Sequence, residues 1–99
     1  MNTGMFVGSA RIEFEIVDGL TLKDKRRVVR SILDKLRRQH HVAAAEVGLL
    51  NDHHRASVGV AVVANERRFV QSVLDRVAEF VESDPRVVVL EHEPEVWAR

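Results

Sequence analysis

The order of hydrophobic periods along the chain is what most restricts its fold. From position 6 to position 16 the even residues read Phe, Gly, Ala, Ile, Phe, Ile, while the odd ones from Ser9 read Ser, Arg, Glu, Glu. Side chains alternate between the two faces of a strand, so a period of two predicts a strand buried on one face. The period then becomes helical: Leu22, Val28, Val29, Ile32, Leu33 and Leu36 form one apolar stripe. A turn at Asp18-Gly19 leads into this helix, Thr21 offers it a hydroxyl cap, and the pattern predicts a helix over residues 22 to about 39. Two apolar runs of strand length follow, 42–50 and 56–64, joined through Asn51-Asp52-His53-His54-Arg55, which predicts a hairpin. In the second run Val58, Val60 and Val62 share one face and Gly59 and Ala61 the other. In the first the alternation breaks around Ala45-Glu46, as a bulge or an edge strand would require.

Asn65 is placed to cap a second helix over residues 66 to about 82, with Phe69, Val70, Val73, Leu74, Val77, Phe80 and Val81 as its apolar stripe. Ser83-Asp84-Pro85 ends it, and residues 86–93 predict a last strand, followed by a tail with Pro94 that ends near Trp97. Strand, helix, hairpin, helix, strand closes into a four-stranded antiparallel sheet with both helices on one face, reached by two right-handed crossovers. This is the α+β ferredoxin-like βαββαβ two-layer sandwich. Its first and third strands are central, and they put Ile12, Phe14, Val58 and Val60 beneath the helices.

With 99 residues the chain holds one core and one domain, residues 1–99. Hydrophobic residues at 45% and charged residues at 30% place it among ordinary globular proteins rather than disordered chains. No apolar run approaches the roughly 20 residues that cross a bilayer, and the stretch from Met1 to Met5 has neither the basic start nor the apolar run of a signal peptide. The expectation is a cytoplasmic protein without a membrane partner. The absence of cysteine removes disulfides, thiolate nucleophiles and thiolate metal sites together.

Formal net charge is zero, but the charge is polarised along the chain. Residues 21–41 carry eight Lys or Arg against Asp24 and Asp34, a net +6, and residues 79–95 carry six acids against Arg86, a net −5. At 100° per residue Lys23, Arg26, Arg27, Arg30, Arg37 and Arg38 fall within about 120° of one another on the first helix, opposite most of its apolar stripe. Asp34 lies among them, three or four residues from Arg30, Arg37 and Arg38 and two turns from Arg27, and neutralises part of the face. Such a row either meets phosphates, whose oxygens arginine forks grip in pairs, or is a solvated helix face. Lys25 differs, because its angle puts it amid the apolar stripe. Either its long stem escapes past the sheet edge, or it is held over a pocket at the helix start beside Glu46, where it binds an anion.

Other chemistry finds little support. Adjacent His53 and His54 with Asp52 lack a distant third ligand, and His40-His41 and His92 stand at no definite spacing from them, so no metal site is expected. Ser9, Ser57, Ser72 and Ser83 have no local motif joining them to a histidine and an acid, and the glycines form no phosphate-cradling loop, so neither catalytic residues nor a cofactor are expected. On the uncovered sheet face, RNA-recognition modules of this topology stack bases on aromatics. Here that face offers Ser9, Arg11, Gly59 and Ala61, while Phe6 and Phe14 share the core parity and Phe69 and Phe80 the stripe of the second helix, which leaves none to stack a base. So small a face either accepts a second subunit or is plain solvated sheet.

Thr21-Leu22-Lys23-Asp24-Lys25-Arg26, then Val42-Ala43-Ala44-Ala45-Glu46 and Gly59-Val60-Ala61-Val62-Val63-Ala64-Asn65, resemble the YlxP-like family of small bacterial proteins, a domain of unknown function. The resemblance runs in order over nearly the whole chain. Thr21 and Asp24 stand where the family's helix-start motif usually has Ser and Glu, and relatives often carry a tryptophan where His53-His54 stands. The resemblance implies a ferredoxin-like fold and a gene often found among translation-initiation and ribosome-maturation genes, with no catalytic residues. The functional expectation is a non-catalytic accessory protein that touches ribosomal RNA or a ribosome-associated protein through the first helix. The alternative is a homodimeric module for a small ligand or a protein partner.

Overall fold

A computed structural model describes residues 4–18 and 21–99. The elements are β1 (Phe6–Ile16), α1 (Leu22–Gln39), β2 (Ala43–Gly48), β3 (Arg55–Ala64), α2 (Arg67–Ser83) and β4 (Val87–Ala98). They form one antiparallel sheet in the order β2-β3-β1-β4, so β1 and β3 are central and the topology is that read from the sequence. The glycine of the expected Asp18-Gly19 turn and the first three residues lie outside the described residues. Among the described residues no helix is long and apolar enough to cross a membrane.

Both helices cover one face of the sheet, α1 over β2 and β3 and α2 over β1 and β4. The register places Ile12 opposite Val58 and Ala10 opposite Val60, and with Phe14 these residues are buried in the core beneath the helices. Gly8 lets α2 descend onto β1: a Cβ there would stand 2.3 Å from Val70 Cγ1. The irregular parity of β2 has both expected causes, since β2 is an edge strand and its register to β3 shifts between Glu46 and Gly48.

Three local expectations are corrected. Asn65 does not cap α2; Glu66 is the N-cap, its carbonyl taking the Val70 N–H at 3.2 Å, and no side chain caps this end. Asn65 stands one residue too early to reach the orphan amides. The second correction is at the C-terminus, where β4 continues through Pro94 to Ala98 instead of giving way to a tail. An edge strand tolerates proline because one side of it makes no ladder bonds. The longer strand carries Trp97 opposite Val7 on the uncovered face, 40% exposed, so that face does hold an aromatic side chain. Finally, Phe69 is 50% exposed, because it sits at the margin of the α2 stripe in the helix's first turn.

Candidate functional site

The start of α1 is fixed by a reciprocal cap. Thr21 Oγ1 accepts the Asp24 N–H at 3.1 Å and Asp24 Oδ2 accepts the Thr21 N–H at 3.2 Å, the arrangement expected of Thr and an acid three residues apart. With the helix anchored there, Lys25 points into the apolar stripe and its side chain is fully buried. It does not escape past the sheet edge. Its ammonium stands 3.1 Å from Glu46 Oε2 on β2 and donates to the Leu49 carbonyl. The contact with Glu46 is an ion pair by distance without hydrogen-bond alignment, so Glu46 Oε2 is buried and accepts no hydrogen bond among the described residues.

Leu49 adopts a left-handed backbone (φ 59°), which aims its carbonyl at Lys25; the same oxygen takes the Asp52 N–H at 3.1 Å. Asp52 in turn accepts the His54 and Arg55 N–H groups at 2.8 Å each, and these bonds hold its carboxyl below the usual range. Lys25 is thus the post on which the β2–β3 turn is hung. Its charge, which one of the two readings placed beside Glu46 to bind an anion, faces Glu46.

The six cations of the expected basic face are all exposed on α1, but they divide by what they touch. Arg37 donates twice to the Ala44 carbonyl, from Nε at 3.1 Å and Nη2 at 2.6 Å, and so covers a carbonyl of edge strand β2. Arg38 pairs with Asp34 one turn away. No hydrogen bond or ion pair engages Lys23, Arg26, Arg27 or Arg30 among the described residues. Arg26, Arg30 and Arg37 share the rim of a groove between α1 and β2, whose floor is Val29 and Leu33 and whose far wall is Glu46. Arg27 lies round the helix in a second depression, with Asp18, Asp24, Pro85 and Arg86.

Glu46 is the residue whose place in this site the sequence left least determined. Its signal was the broken alternation of β2, which hid that Ala44 and Glu46 share the helix-covered face while Ala43 and Ala45 share the other. Arg86 was also missed as a structural centre: its guanidinium meets both Asp84 oxygens, at 3.0 and 2.7 Å, and Ser31 Oγ at 3.2 Å, tying the end of α2 to α1. This contact holds the Asp84 carboxyl below its ordinary range. His53 and His54 are exposed beside each other, and no group of three metal-ligating side chains forms among the described residues.

The uncovered sheet face carries rows of different chemistry. Trp97, Val7 and Val63 stand side by side across β4, β1 and β3 at one end. Ser9, Ala43, Ala45, Gly59 and Ala61 form a shallow depression of about 620 Å³ beside them, flanked by Arg11, Glu93 and Glu95. Val63, at 58%, is the most exposed of the large hydrophobic side chains among the described residues.

Most of the chain is similar to known sequences. A protein from Bacillus subtilis (strain 168), "Uncharacterized protein YlxP", is 33% identical over 81 residues, 82% of this chain and 88% of the relative. The family model described as "Protein of unknown function (DUF503)" matches residues 7–94, which takes in every element from β1 into β4. The chain belongs to this YlxP-like DUF503 family.

Proposed function

We propose that the protein is a non-catalytic accessory protein that binds RNA, ribosomal RNA foremost, through the outer face of α1. The observation that carries the reading is that Lys23, Arg26, Arg27 and Arg30 stand exposed on one helix with no carboxylate drawn onto them among the described residues. Four such cations in about two turns make a dense positive row of the kind that displaces counterions from a phosphate backbone, and the company that the family resemblance implies for the gene favours a ribosomal partner. Arg37 and Arg38 contribute less, since each already has an acceptor. Counterion release sets the test. Four contacts on single-stranded RNA give log K against log salt a slope of about −3, at roughly −0.7 per contact. Reversing Arg26, Arg27 and Arg30 to Glu removes the binding and leaves the far-UV circular dichroism and melting curve native, because these side chains point away from the core. No RNA association at about 50 mM salt refutes the reading.

A second reading, a homodimeric interaction module, is favoured by the Trp97–Val7–Val63 row and the small-residue floor beside it on the uncovered sheet. Sedimentation equilibrium decides it: a dimer that Ala61→Arg converts to monomer supports this face as the contact, and a native monomer at high concentration removes it.

A further inference from the structure

The groove between α1 and β2 is not a plain basic surface. It encloses about 370 Å³ and combines three different chemistries. Its rim is guanidinium, from Arg26, Arg30 and Arg37, which fall within 40° of one another at 100° per residue. Its floor is aliphatic, from Val29 and Leu33. Its wall is the Glu46 carboxylate, 17% exposed, which the buried Lys25 ammonium grips from behind at 3.1 Å. That grip fixes the carboxylate in the groove, and Arg37 is likewise fixed by the Ala44 carbonyl, so acceptor and one donor are held in place before any ligand arrives. A phosphate backbone alone gains nothing from a carboxylate, which only accepts hydrogen bonds. The ligand that uses all three chemistries carries an anion, a flat apolar body and N–H donors together.

We infer that the α1–β2 groove takes one unpaired nucleotide of a single-stranded RNA, with its phosphate on Arg26 and Arg30, its base over Val29 and Leu33, and the donors of its Watson–Crick edge turned to Glu46. The inference rests on the RNA reading above and adds a base preference to it. Guanine fits best, because N1–H and the 2-amino group stand side by side and converge on the one Glu46 oxygen, Oε1, that burial beside Lys25 leaves to a ligand. Cytosine and adenine each offer one amino group, and uracil flanks its single N–H with two carbonyls that repel the carboxylate. A duplex is excluded, since pairing occupies the edge that Glu46 reads.

The test is fluorescence anisotropy with a short oligouridylate and the same oligomer carrying guanosines at alternate positions, at low salt. The native protein binds the guanosine oligomer about tenfold more tightly. Glu46→Gln, whose amide presents a donor as well as an acceptor, brings the two oligomers to within about twofold, while the affinity for oligouridylate holds or rises. Arg26→Ala weakens both equally. Should Glu46→Gln fail to fold, the Lys25→Met/Glu46→Gln variant removes the buried charge pair and keeps the amide in the groove, and it loses the preference in the same way. Equal binding of both oligomers by the native protein, with its salt dependence intact, overturns the base preference and leaves the RNA reading standing. A preference that survives both Glu46 variants also overturns it, by placing recognition elsewhere. Binding of neither oligomer overturns the RNA reading and this inference together, and so does capture of a polyglutamate peptide in place of RNA.

Discussion

Replacing Lys25 by Met separates the work of its stem from the work of its charge. Methionine has nearly the volume of the aliphatic stem, so the fully buried site stays filled and no cavity opens. What disappears is the cation 3.1 Å from Glu46 Oε2, an oxygen already buried without a hydrogen bond. Removing one partner of a buried pair costs about 3–5 kcal/mol, and because Glu46 is 17% exposed, water reaches part of it and the cost falls to about 3 kcal/mol. The Leu49 carbonyl adds little to this, since it keeps the Asp52 N–H. In a domain of this size 3 kcal/mol lowers Tm by roughly 12–20 °C and leaves a protein still folded at 25 °C. Glu46→Leu alone strands the ammonium instead and costs a similar amount. The Lys25→Met/Glu46→Leu double variant has no stranded charge and recovers most of the loss, as an apolar pair replacing a buried ion pair does elsewhere. Urea unfolding followed by circular dichroism measures all three, with the m-value as the check on two-state behaviour. A Lys25→Met protein within about 0.5 kcal/mol of the native one would refute the argument, because a surface substitution does no more than that.

Gly8→Ala places a methyl group 2.3 Å from Val70 Cγ1 and 3.1 Å from Leu74 Cδ1, so α2 must lift or its side chains must move; a loss of about 1–3 kcal/mol follows, and Val70→Ala restores part of it in the double variant. Burial against Phe80, with Arg76 and His41 nearby, holds the His40 pKa below its ordinary 6.5. The folded protein therefore resists a proton that the unfolded chain accepts, and stability contributed by neutral His40 is present above pH 6.5 and falls away as pH drops through the lower folded value. Urea midpoints from pH 7.5 down to pH 5 read this slope, and an unchanged slope in His40→Gln assigns it to another group.

The parts of the fold that a sequence can specify locally were legible in it. β1 has a central position with one buried face, so alternation of Ile12 and Phe14 with Arg11, Glu13 and Glu15 shows it. Both ends of α1 are written in side chains that act on their own neighbours, Thr21 and Asp24 at the start and the loss of the stripe after Leu36 at the close. The end of β4 was illegible because its acids and Pro94 resemble a solvated tail, and only pairing with β1 makes a strand of them. Much of the candidate site was hidden for the same reason. Arg26 and Arg37 differ by only 20° on the helix, yet one stands unengaged and the other is committed to Ala44, a difference set by where β2 runs beneath them. Lys25 illustrates an intermediate case: a place beside Glu46 was one of the two readings its position in the stripe allowed, but the turn at Leu49 that completes its environment is a backbone feature no residue type reveals.

The polarised charge of the chain becomes a polarised molecule only because of strand order. Glu91, Glu93 and Glu95 lie on β4, at the sheet edge opposite β2, while α1 lies over β2 and β3. Three strand spacings of about 4.8 Å separate the two edges, and Glu91, Glu93 and Glu95 face away from the helices, on the side of Glu13, Arg11 and Ser9. Accordingly none of these acids pairs with an α1 arginine among the described residues. Pairing of the β4 acids with α1, the simplest account of a basic segment and an acidic one in a chain of zero net charge, is thereby removed, and the neutralisation of α1 seen among the described residues is local, from Asp34 onto Arg38 and from Asp84 near Lys35. What remains is a solvated face or attraction to something outside the molecule. A second copy could offer its acidic strand, but α1 of one molecule against β4 of the next is a head-to-tail contact that leaves both faces open again at the ends, so it builds filaments or rings rather than a closed pair. RNA has no such constraint: its phosphates repeat along one strand, and a molecule with no net charge approaches them oriented, basic edge first and acidic edge turned away. On the RNA reading proposed above, the strand order that separates the charges leaves α1 and its groove open to an external polyanion.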